Sequence, residues 1–278
     1  EDIIAPGAFA FRGQFFTDMK ILFIGDIYGK TGRDTLKRQL PLLCQRYSPD
    51  WVIANGENVT AGNGLSARHA RLLKDCGVDV ITTGNHIFSR VDWPELLQKH
   101  EYILRPHNMV AETSVGTGCK VFRGQKNSLA VINLAGRIFM EAASCPFAAF
   151  DRLIKDIPAG VPVVVDFHAE ATSEKQAFFW YANGRVAAVA STHTHVQTSD
   201  ERILPGGKTA VITDIGMTGA VNGIIGVDRD TVVGRFRTGY SEKFLCAPGP
   251  GKIEGILVEI SDEGFATGIE RFRVIEES

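Results

Sequence analysis

Side chains that commonly bind metals follow five apolar stretches of this 278-residue chain. Each group comes at the end of a run rich in Ile, Val, Leu or Ala. The candidate donors are Asp26, Glu57, Asn58, Asn85, His86, His168, His193 and His195. Imidazole, carboxylate and amide oxygen together favour iron, manganese or zinc, because Mg²⁺ and Ca²⁺ prefer shells of oxygen alone. The pattern therefore predicts a transition-metal site.

The number of donors favours two ions over one. Seven or eight ligands exceed what a single tetrahedral ion takes, whereas two ions roughly 3.5–4 Å apart can share a bridging carboxylate and a bridging hydroxide. Such a pair clamps the attacking and the leaving oxygen of an in-line displacement at phosphorus. The hydroxide is also a nucleophile near neutral pH without any Ser or Cys. The chemistry indicated is hydrolysis of a phosphate ester by a metal-bridging hydroxide.

The apolar runs themselves predict the strands that must position these donors. Runs at 21–24, 52–54, 78–83, 163–167 and 187–192 have the length and β-branched content of strands buried on both faces. In open α/β sheets, ligands bind just beyond the carboxyl ends of such strands. We therefore expect an α/β fold with the metal site at the carboxyl ends of the strands.

Amphipathic stretches between the runs predict helices. Leu36, Leu40, Leu43 and Tyr47 form one apolar stripe, and Pro41 inside it predicts a kink or a break. The next helix has Ser66 as its expected N-cap and Gly77 just after its end. Further helices are expected at residues 91–99, 148–156 and 173–181.

The remaining segments predict hairpins and loops. Residues 120–133 indicate a β-hairpin that leads into a second sheet, and residues 253–274 indicate an antiparallel hairpin. Residues 217–219 are expected to form a glycine-rich loop near the site. We expect one domain over residues 19–278, and we interpret residues 1–18 as a non-native extension before a natural start at Met19.

Composition limits the classes of partner. The formal net charge of −2 gives no broad basic surface, which argues against binding of extended duplex nucleic acid. No apolar stretch approaches the length of a membrane span, so no membrane partner is expected. Five widely spaced cysteines without a CxxC pair indicate neither a disulfide framework nor a zinc ribbon, and favour a cytoplasmic location.

Each motif alone has an ordinary structural interpretation. His193-x-His195 is often a structural pair, although residues i and i+2 of a strand do face the same side. Asn85 is also typical of a turn, and Glu57-Asn58 of a solvated one. The glycines from Gly25 to Gly32 lack dinucleotide-binding spacing, and Asp26 would repel a pyrophosphate. The metal site is predicted because all five groups follow apolar runs.

The motifs together resemble a known superfamily. Gly25-Asp26, Gly84-Asn85-His86 and Thr192-His193-Thr194-His195, in that order, are similar to the calcineurin-like metallophosphoesterases. Residues 56–58, 136–141 and 166–175 resemble the bacterial YmdB-like branch more closely. The resemblance covers residues 19–275. It implies a four-layer α/β/β/α sandwich and a dinuclear phosphodiesterase, often di-iron, that acts on 2′,3′- or 3′,5′-cyclic nucleotides.

The resemblance also implies roles for individual residues. One ion would be held by Asp26, Glu57, Asn58 and His195, and the other by Glu57, Asn85, His168 and His193. Glu57 would be the bridge, and His86 the acid that protonates the leaving group. The superfamily usually opens with Asp-x-His, whereas this chain has Asp26-Ile27-Tyr28. In the YmdB-like branch the adjacent Glu57-Asn58 compensates for the missing histidine.

Three further residues are weaker candidates. Asp166 and Glu170 flank a ligand histidine and are expected to orient ligands rather than to bind metal. Arg105 is either a phosphate contact in the substrate pocket or part of an ordinary loop.

Three functions remain open at this point. The favoured one is a phosphodiesterase with two divalent or trivalent transition-metal ions, iron being preferred over manganese or zinc, and a small phosphodiester substrate. A phosphomonoesterase or nucleotidase would use the same ligands. A regulatory protein that retained the fold is the third, although a scaffold has no physical need for clustered imidazoles and carboxylates. Whether the chain forms a homo-oligomer is left open.

Overall fold

The structure, a computed structural model, describes residues 19–110, 114–240 and 243–276. The predicted N-terminal extension, residues 1–18, lies outside the described residues. The strands are β1 Met19–Ile24, β2 Asp26–Ile27, β3 Trp51–Asn55, β4 Val80–Thr82, β5 Cys119–Arg123, β6 Ser128–Ala135, β7 Val163–His168, β8 Ala188–Thr192, β9 Arg202–Ile203, β10 Ala210–Ile212, β11 Met217–Ala220, β12 Gly251–Ile260 and β13 Ala266–Ile275. The α-helices are α1 Gly29–Tyr47, α2 Ala67–Asp75, α3 Trp93–Lys99, α4 Pro146–Leu153, α5 Thr172–Ala182 and α6 Arg229–Thr238.

The strands form two sheets. The first has the order β2-β11-β12-β1-β3-β4, with β13 paired to the other edge of β12, and β1, β3 and β4 run parallel. The second has the order β5-β6-β7-β8-β10-β9, in which β6, β7, β8 and β10 run parallel. The strand ends that carry the donors therefore come from both sheets.

Alternating side chains along each strand build three apolar layers. On β1, Leu22 and Ile24 pack against α1, whereas Ile21 and Phe23 face the second sheet. On β7, Val164 faces the first sheet, and its neighbours pack towards α4 and α5. Strands buried on both faces carry continuous apolar runs for this reason. The predicted four-layer α/β/β/α fold is confirmed.

Most helix predictions are confirmed. Ser66 caps α2 by accepting a hydrogen bond from the backbone N–H of His69, and Gly77 has the left-handed φ of 103° expected just beyond a helix end. The predicted break at Pro41 is wrong, because α1 continues through it to Tyr47. Pro41 lies on the exposed face, and the buried stripe on the opposite face keeps both halves packed on the sheet.

Two parts of the chain differ from the prediction. Residues 217–219 belong to β11, which pairs in parallel with β2, so this segment is a strand rather than a loop. Helix α6 follows it and was not predicted, because its sequence lacks a sustained apolar stripe. Strand β11 places Met217 opposite Asp26, one of the predicted donors.

Two further findings concern the chain as a whole. No helix in the described part of the chain is both long enough and apolar enough to cross a bilayer. The five cysteines are half-buried free thiols.

Candidate metal centre

The predicted donors meet at the carboxyl ends of strands from both sheets. In the first sheet, Asp26 forms β2 just beyond β1, and Glu57 and Asn58 follow β3. Asn85 and His86 begin a short 3₁₀-helix, Asn85–Ser89, after β4. In the second sheet, His168 ends β7, and His193 and His195 follow β8. The structure therefore brings together all eight donors that the sequence predicts.

Glu57 lies at the middle of the cluster. Its Oε1 is 3.2 Å from His168 Nε2 and accepts a hydrogen bond from Asn58 Nδ2 at 3.2 Å. Its Oε2 accepts from the backbone N–H of His86 at 2.9 Å. Glu57, His168 and His193 each offer a donor atom within 4.8 Å of the others, which is close enough to hold one ion.

His168 is held by a hydrogen-bonded relay behind it. The Thr192 hydroxyl donates to Asp166 Oδ1 at 2.7 Å, so it accepts from His168 Nδ1, which lies 2.8 Å away. Asp166 also accepts from Asn55 Nδ2 at 3.2 Å. The relay leaves Nε2 of His168 turned towards Glu57. The structure thus places Asp166 where it orients His168, through a threonine that the sequence did not indicate.

His193 and His195 do not lie in a strand. Strand β8 ends at Thr192, and the two histidines have φ values of 106° and 63°. The expectation that they share a face as strand residues i and i+2 is therefore wrong. Positive φ is unfavourable for residues other than glycine, so other contacts must hold this loop.

Three hydrogen bonds provide that restraint. The backbone N–H of His193 donates to Asp26 Oδ2 at 3.3 Å, and that of Thr194 donates to Asp214 Oδ2 at 3.0 Å. Nδ1 of His195 lies 2.8 Å from the backbone carbonyl oxygen of Ile225, to which it donates. The loop is thereby fixed with Nε2 of His195 facing Asp26 and Asn58, at 3.6 Å and 3.2 Å.

Asp214 is itself held by a buried cation. Lys175 Nζ on α5 lies 3.0 Å from Asp214 Oδ2, and neither side chain is exposed by more than 1%. The prediction missed this pair. A signal was present, because residues 210–214 are another apolar run that ends in a carboxylate, the same pattern that marked the other donors.

Gly84 allows the backbone to approach the centre closely. A Cβ at this position would lie inside van der Waals contact of His168 Nε2 and Glu57 Oε2. The chain then turns into the 3₁₀-helix, which brings Asn85 Oδ1 to 3.3 Å from His168 Nε2. This helix points His86 back over the cluster, where its Nδ1 is 2.6 Å from Asn58 Oδ1.

The amide of Asn58 joins the two ends of the cluster. Its Nδ2 lies 3.2 Å from Nε2 of His195 and 3.2 Å from Glu57 Oε1, while its Oδ1 faces His86. A metal ligand must be the oxygen, and rotation of the terminal amide by 180° exchanges the two atoms.

Charges inside the cluster shift several pKa values. Burial alone would raise the pKa of Glu57, but His168 and His86 lower it well below its usual range. Burial alone would lower the pKa of His168, but Glu57 raises it to about 9. His193 has a pKa lowered to about 3 by burial and by the charge of His168. A carboxylate and an imidazole paired in this way are positioned to exchange a proton for a metal ion.

The donor set fits transition metals. Asp26 Oδ1 is buried and has no hydrogen-bond partner among the described residues, as expected of an oxygen that binds a cation. Nε2 of His168 and Nε2 of His195 both face the cluster, because their Nδ1 atoms are engaged behind it. Mixed nitrogen and oxygen donors suit iron, manganese or zinc.

The two remaining candidates differ in their placement. Glu170 Oε2 lies 3.1 Å from His193 Nε2, where it orients that ring. Arg105 is not brought to the centre. Its guanidinium is buried and donates to the carbonyl oxygens of Val115, Pro106 and His107, so it stabilises its own loop. Of the two interpretations that the sequence left open, this geometry favours the ordinary loop.

A cavity of about 640 Å³ opens over the cluster. Its lining includes Glu57, His86, His193, His195, Glu170, Tyr28, Lys243 and Phe244. The Tyr28 ring packs edge-on against His195 with centroids 5.6 Å apart, and burial raises the pKa of its hydroxyl to about 12. Tyr28 therefore supports His195, a candidate ligand, from the position where the wider superfamily has a histidine.

A four-layer α/β sandwich with this donor cluster at its strand ends defines an enzyme of the metallophosphoesterase class. A sequence model of the YmdB-like protein family matches residues 22–272. The chain belongs to that family.

Relatives agree in sequence and in structure. The 2′,3′-cyclic-nucleotide 2′-phosphodiesterase of Bacillus subtilis is 44% identical over 246 residues, which cover 88% of this chain and 92% of that protein. A hypothetical protein from Thermus thermophilus superposes with a TM-score of 0.87 at 39% identity, covering 93% of this chain and 100% of the other. A crystal structure described as a novel phosphatase from Mycoplasma pneumoniae gives 0.87 at 35% identity, covering 94% of both chains.

Proposed function

We propose that this protein is a two-metal phosphodiesterase that opens the cyclic phosphate of 2′,3′-cyclic nucleotides. The named activity of the B. subtilis relative supports this substrate, since the two chains match over nearly their full lengths. The cavity volume of about 640 Å³ also lies within the range of small-molecule sites.

The position of Glu57 carries the proposal. Its Oε1 lies 3.2 Å from both Asn58 Nδ2 and His168 Nε2. Asn58 contacts His195, which faces Asp26, and His168 contacts Asn85 and His193. A carboxylate between two such groups suits the bridging ligand of a metal pair. Two bound ions would supply Lewis-acid polarisation of the phosphate and activation of water.

The chain's own residues then position the substrate and transfer a proton. Water adds to phosphorus, the P–O2′ bond breaks, and O2′ takes a proton to give the 3′-phosphate. We assign that proton to His86, whose side chain is 38% exposed and lines the cavity beside Glu57. Because His86 Nδ1 faces Asn58, the other ring nitrogen is available to the leaving oxygen.

The first experiment measures metal and product together. Purified protein should contain about two transition-metal ions per chain. With 2′,3′-cyclic AMP in ¹⁸O-labelled water, mass spectrometry should show 3′-AMP with one ¹⁸O in the phosphate. The 3′,5′-cyclic isomer and the monoester p-nitrophenyl phosphate are assayed under the same conditions. A clearly higher kcat/KM for p-nitrophenyl phosphate than for 2′,3′-cyclic AMP would overturn the diesterase assignment.

The second experiment tests the bridge. Glu57→Ala should lose both ions, because Glu57 is the shared ligand, whereas His195→Ala should weaken mainly one site. Elemental analysis that finds one ion or fewer in the unsubstituted protein, or one retained ion in Glu57→Ala, contradicts the two-metal proposal.

A further inference from the structure

Exposed aromatic and basic side chains lie close in sequence to two residues of the cavity wall, Lys243 and Phe244. They lie at the end of α6 and in the chain after it, and together with these two residues we call them the aromatic–basic rim: Arg235, Phe236, Arg237, Tyr240, Lys243 and Phe244. Phe236 is 86% exposed and Tyr240 is 81% exposed. Neither ring belongs to an apolar core, so both forgo the stabilisation that burial would provide.

Part of the rim belongs to the cavity wall. Lys243 and Phe244 line the cavity together with His86, His193 and His195. The guanidinium of Arg235 lies 5.1 Å from the centre of the Phe244 ring, which joins α6 to the cavity wall. A ligand that fills the cavity and extends out of it on this side would reach α6.

The basic side chains of the rim have no carboxylate partner in the part of the chain that the structure describes. Within residues 19–110, 114–240 and 243–276, no carboxylate lies within ion-pair distance of Arg235, Arg237 or Lys243. Cations interleaved with exposed rings are the arrangement that binds single-stranded nucleic acid, in which bases stack on the rings and phosphates meet the cations. The short rim and the net charge of −2 suit a few nucleotides rather than a long duplex.

We propose that the substrate class is a short single-stranded RNA ending in a 2′,3′-cyclic phosphate, and that the rim binds the nucleotides preceding that end. The inference rests on the proposed function. A 2′,3′-cyclic phosphate requires a 2′-hydroxyl, so this nucleic acid is RNA rather than DNA. The reaction is unchanged: water adds to phosphorus, the P–O2′ bond breaks, O2′ is protonated, and the RNA keeps a 3′-phosphate.

The test compares substrates of increasing length. For RNA of one, two and four nucleotides with the same cyclic end, kcat/KM should rise about tenfold or more from the mononucleotide to the tetranucleotide. The gain should shrink between 50 and 200 mM salt, because phosphate contacts release counterions.

Variants locate the gain. Phe236→Ala/Tyr240→Ala should reduce the tetranucleotide-to-mononucleotide ratio of kcat/KM to about one, and Arg237→Ala should weaken its salt dependence. Trp180→Ala is the matched control, since Trp180 is also an exposed aromatic residue (55%) but lies near the far end of α5. Its ratio should remain that of the unsubstituted protein.

A separate binding measurement keeps the inference distinct from the proposed function. Fluorescence anisotropy of a labelled tetranucleotide with a 3′-phosphate should show binding by the metal-loaded protein and about tenfold weaker binding by the double variant. If the protein opens the mononucleotide but shows no gain with length, the rim inference fails and the proposed function stands. If no cyclic substrate is opened, the proposed function fails. If the unsubstituted protein and the double variant bind the tetranucleotide equally well, the rim inference fails as well. A double variant that changes only the sedimentation coefficient would identify the rim as a contact between copies of this chain.

Discussion

At the residue scale, the chemistry depends on which ring nitrogen of each histidine faces the centre. His168 turns Nε2 inward because Thr192 accepts from its Nδ1, and His195 does so because the Ile225 carbonyl accepts from its Nδ1. Such partners fix the tautomer and orientation of a ligand imidazole and usually affect metal affinity 10- to 100-fold.

His86 gives the most direct residue-scale prediction. We expect His86→Ala to retain both metals while kcat for 2′,3′-cyclic AMP falls roughly 10²–10⁴-fold, the usual contribution of general acid catalysis. The loss should be smaller for bis-p-nitrophenyl phosphate, whose leaving group needs no proton. Steady-state kinetics measures kcat on the two substrates, and elemental analysis measures the metal content. His100→Ala is the control, a histidine outside the cluster. Loss of metal, or equal losses on both substrates, would make His86 a ligand or a structural residue.

The buried pair of Lys175 and Asp214 gives a second prediction. Lys175→Met leaves the Asp214 carboxylate buried without its cation and should destabilise the protein by about 3 kcal/mol. It should also weaken metal binding by about tenfold or more, because Asp214 holds the loop that carries the candidate ligands His193 and His195.

A rescue separates this role from general stability. Lys175→Met/Asp214→Asn removes both charges but keeps an oxygen that can accept from the Thr194 N–H, so metal affinity and stability should recover together. Lys99→Met, which breaks an exposed pair with Glu95, is the control and should leave metal affinity unchanged. If the double variant recovers its stability but not its metal affinity, the positioning role is wrong.

At the element scale, short paired segments set the positions of the ligands. The two-residue strand β2 is paired with β11, so Asp26 lies opposite Met217, and its backbone N–H donates to the Gly216 carbonyl oxygen at 3.1 Å. Asp26 lies on so short a strand that its position depends on the neighbouring strand rather than on its own sequence.

The junction between α1 and the end of β13 supports a pH-dependent prediction. Glu276 accepts from Arg38 Nε at 2.7 Å and from Arg38 Nη2 at 2.6 Å. These bonds lower its pKa from 4.5 to about 2. The lowered pKa means that the stabilisation is fully present above pH 4.5 and is lost as the pH falls towards 2.

We therefore expect Glu276→Gln to reduce the free energy of unfolding by about 1 kcal/mol at pH 7, the scale of a partly exposed ion pair. The difference from the unsubstituted protein should shrink between pH 4.5 and 2. Urea unfolding at pH 7, 4 and 3 measures it, and Glu263→Gln, at an exposed pair with Lys208, should show little difference at any pH. A difference as large at pH 3 as at pH 7 would refute the assignment.

At the scale of the whole molecule, the site joins the two sheets. Asp26, Glu57 and Asn85 come from the first sheet, whereas His168 and His195 come from the second. Ions held between them would cross-link the two halves of the sandwich and would offset the repulsion between buried carboxylates. Metal content should therefore influence global stability as well as activity.

Chelation tests this coupling. Removing the metal should lower Tm by roughly 5–10 °C, since a ligand present at 100–1,000 times its Kd stabilises a protein by about 3–4 kcal/mol. Differential scanning calorimetry before and after chelation gives the shift, and restoring the metal should reverse it. Glu57→Ala should be insensitive to the chelator. An unchanged Tm in metal-stripped protein would show that the sheets do not depend on the ions.

Much of the fold could be predicted because its signals are local. Strands buried on both faces require continuous apolar runs, and helices on a sheet require one apolar stripe, so composition and periodicity located most of them. The donors could be predicted for a related reason: ligands in such sheets lie beyond the strands' carboxyl ends, and the residues there are adjacent in sequence to the runs. Helix α6 lacked such a periodic signal and was missed.

The sequence by itself thus determined the architecture and the set of converging donors, since both follow from residue types at local spacing. The tertiary structure alone decided how each donor is held. His168 is oriented by the relay through Thr192 to Asp166, and the histidine loop by the hydrogen bond from the Thr194 N–H to Asp214. These contacts join residues far apart in the chain, and they hold the left-handed backbone of the loop. The tertiary structure also decided that Arg105 donates hydrogen bonds to carbonyl oxygens of its own loop. No local sequence pattern indicates which carbonyl oxygens lie beside a guanidinium in the folded chain.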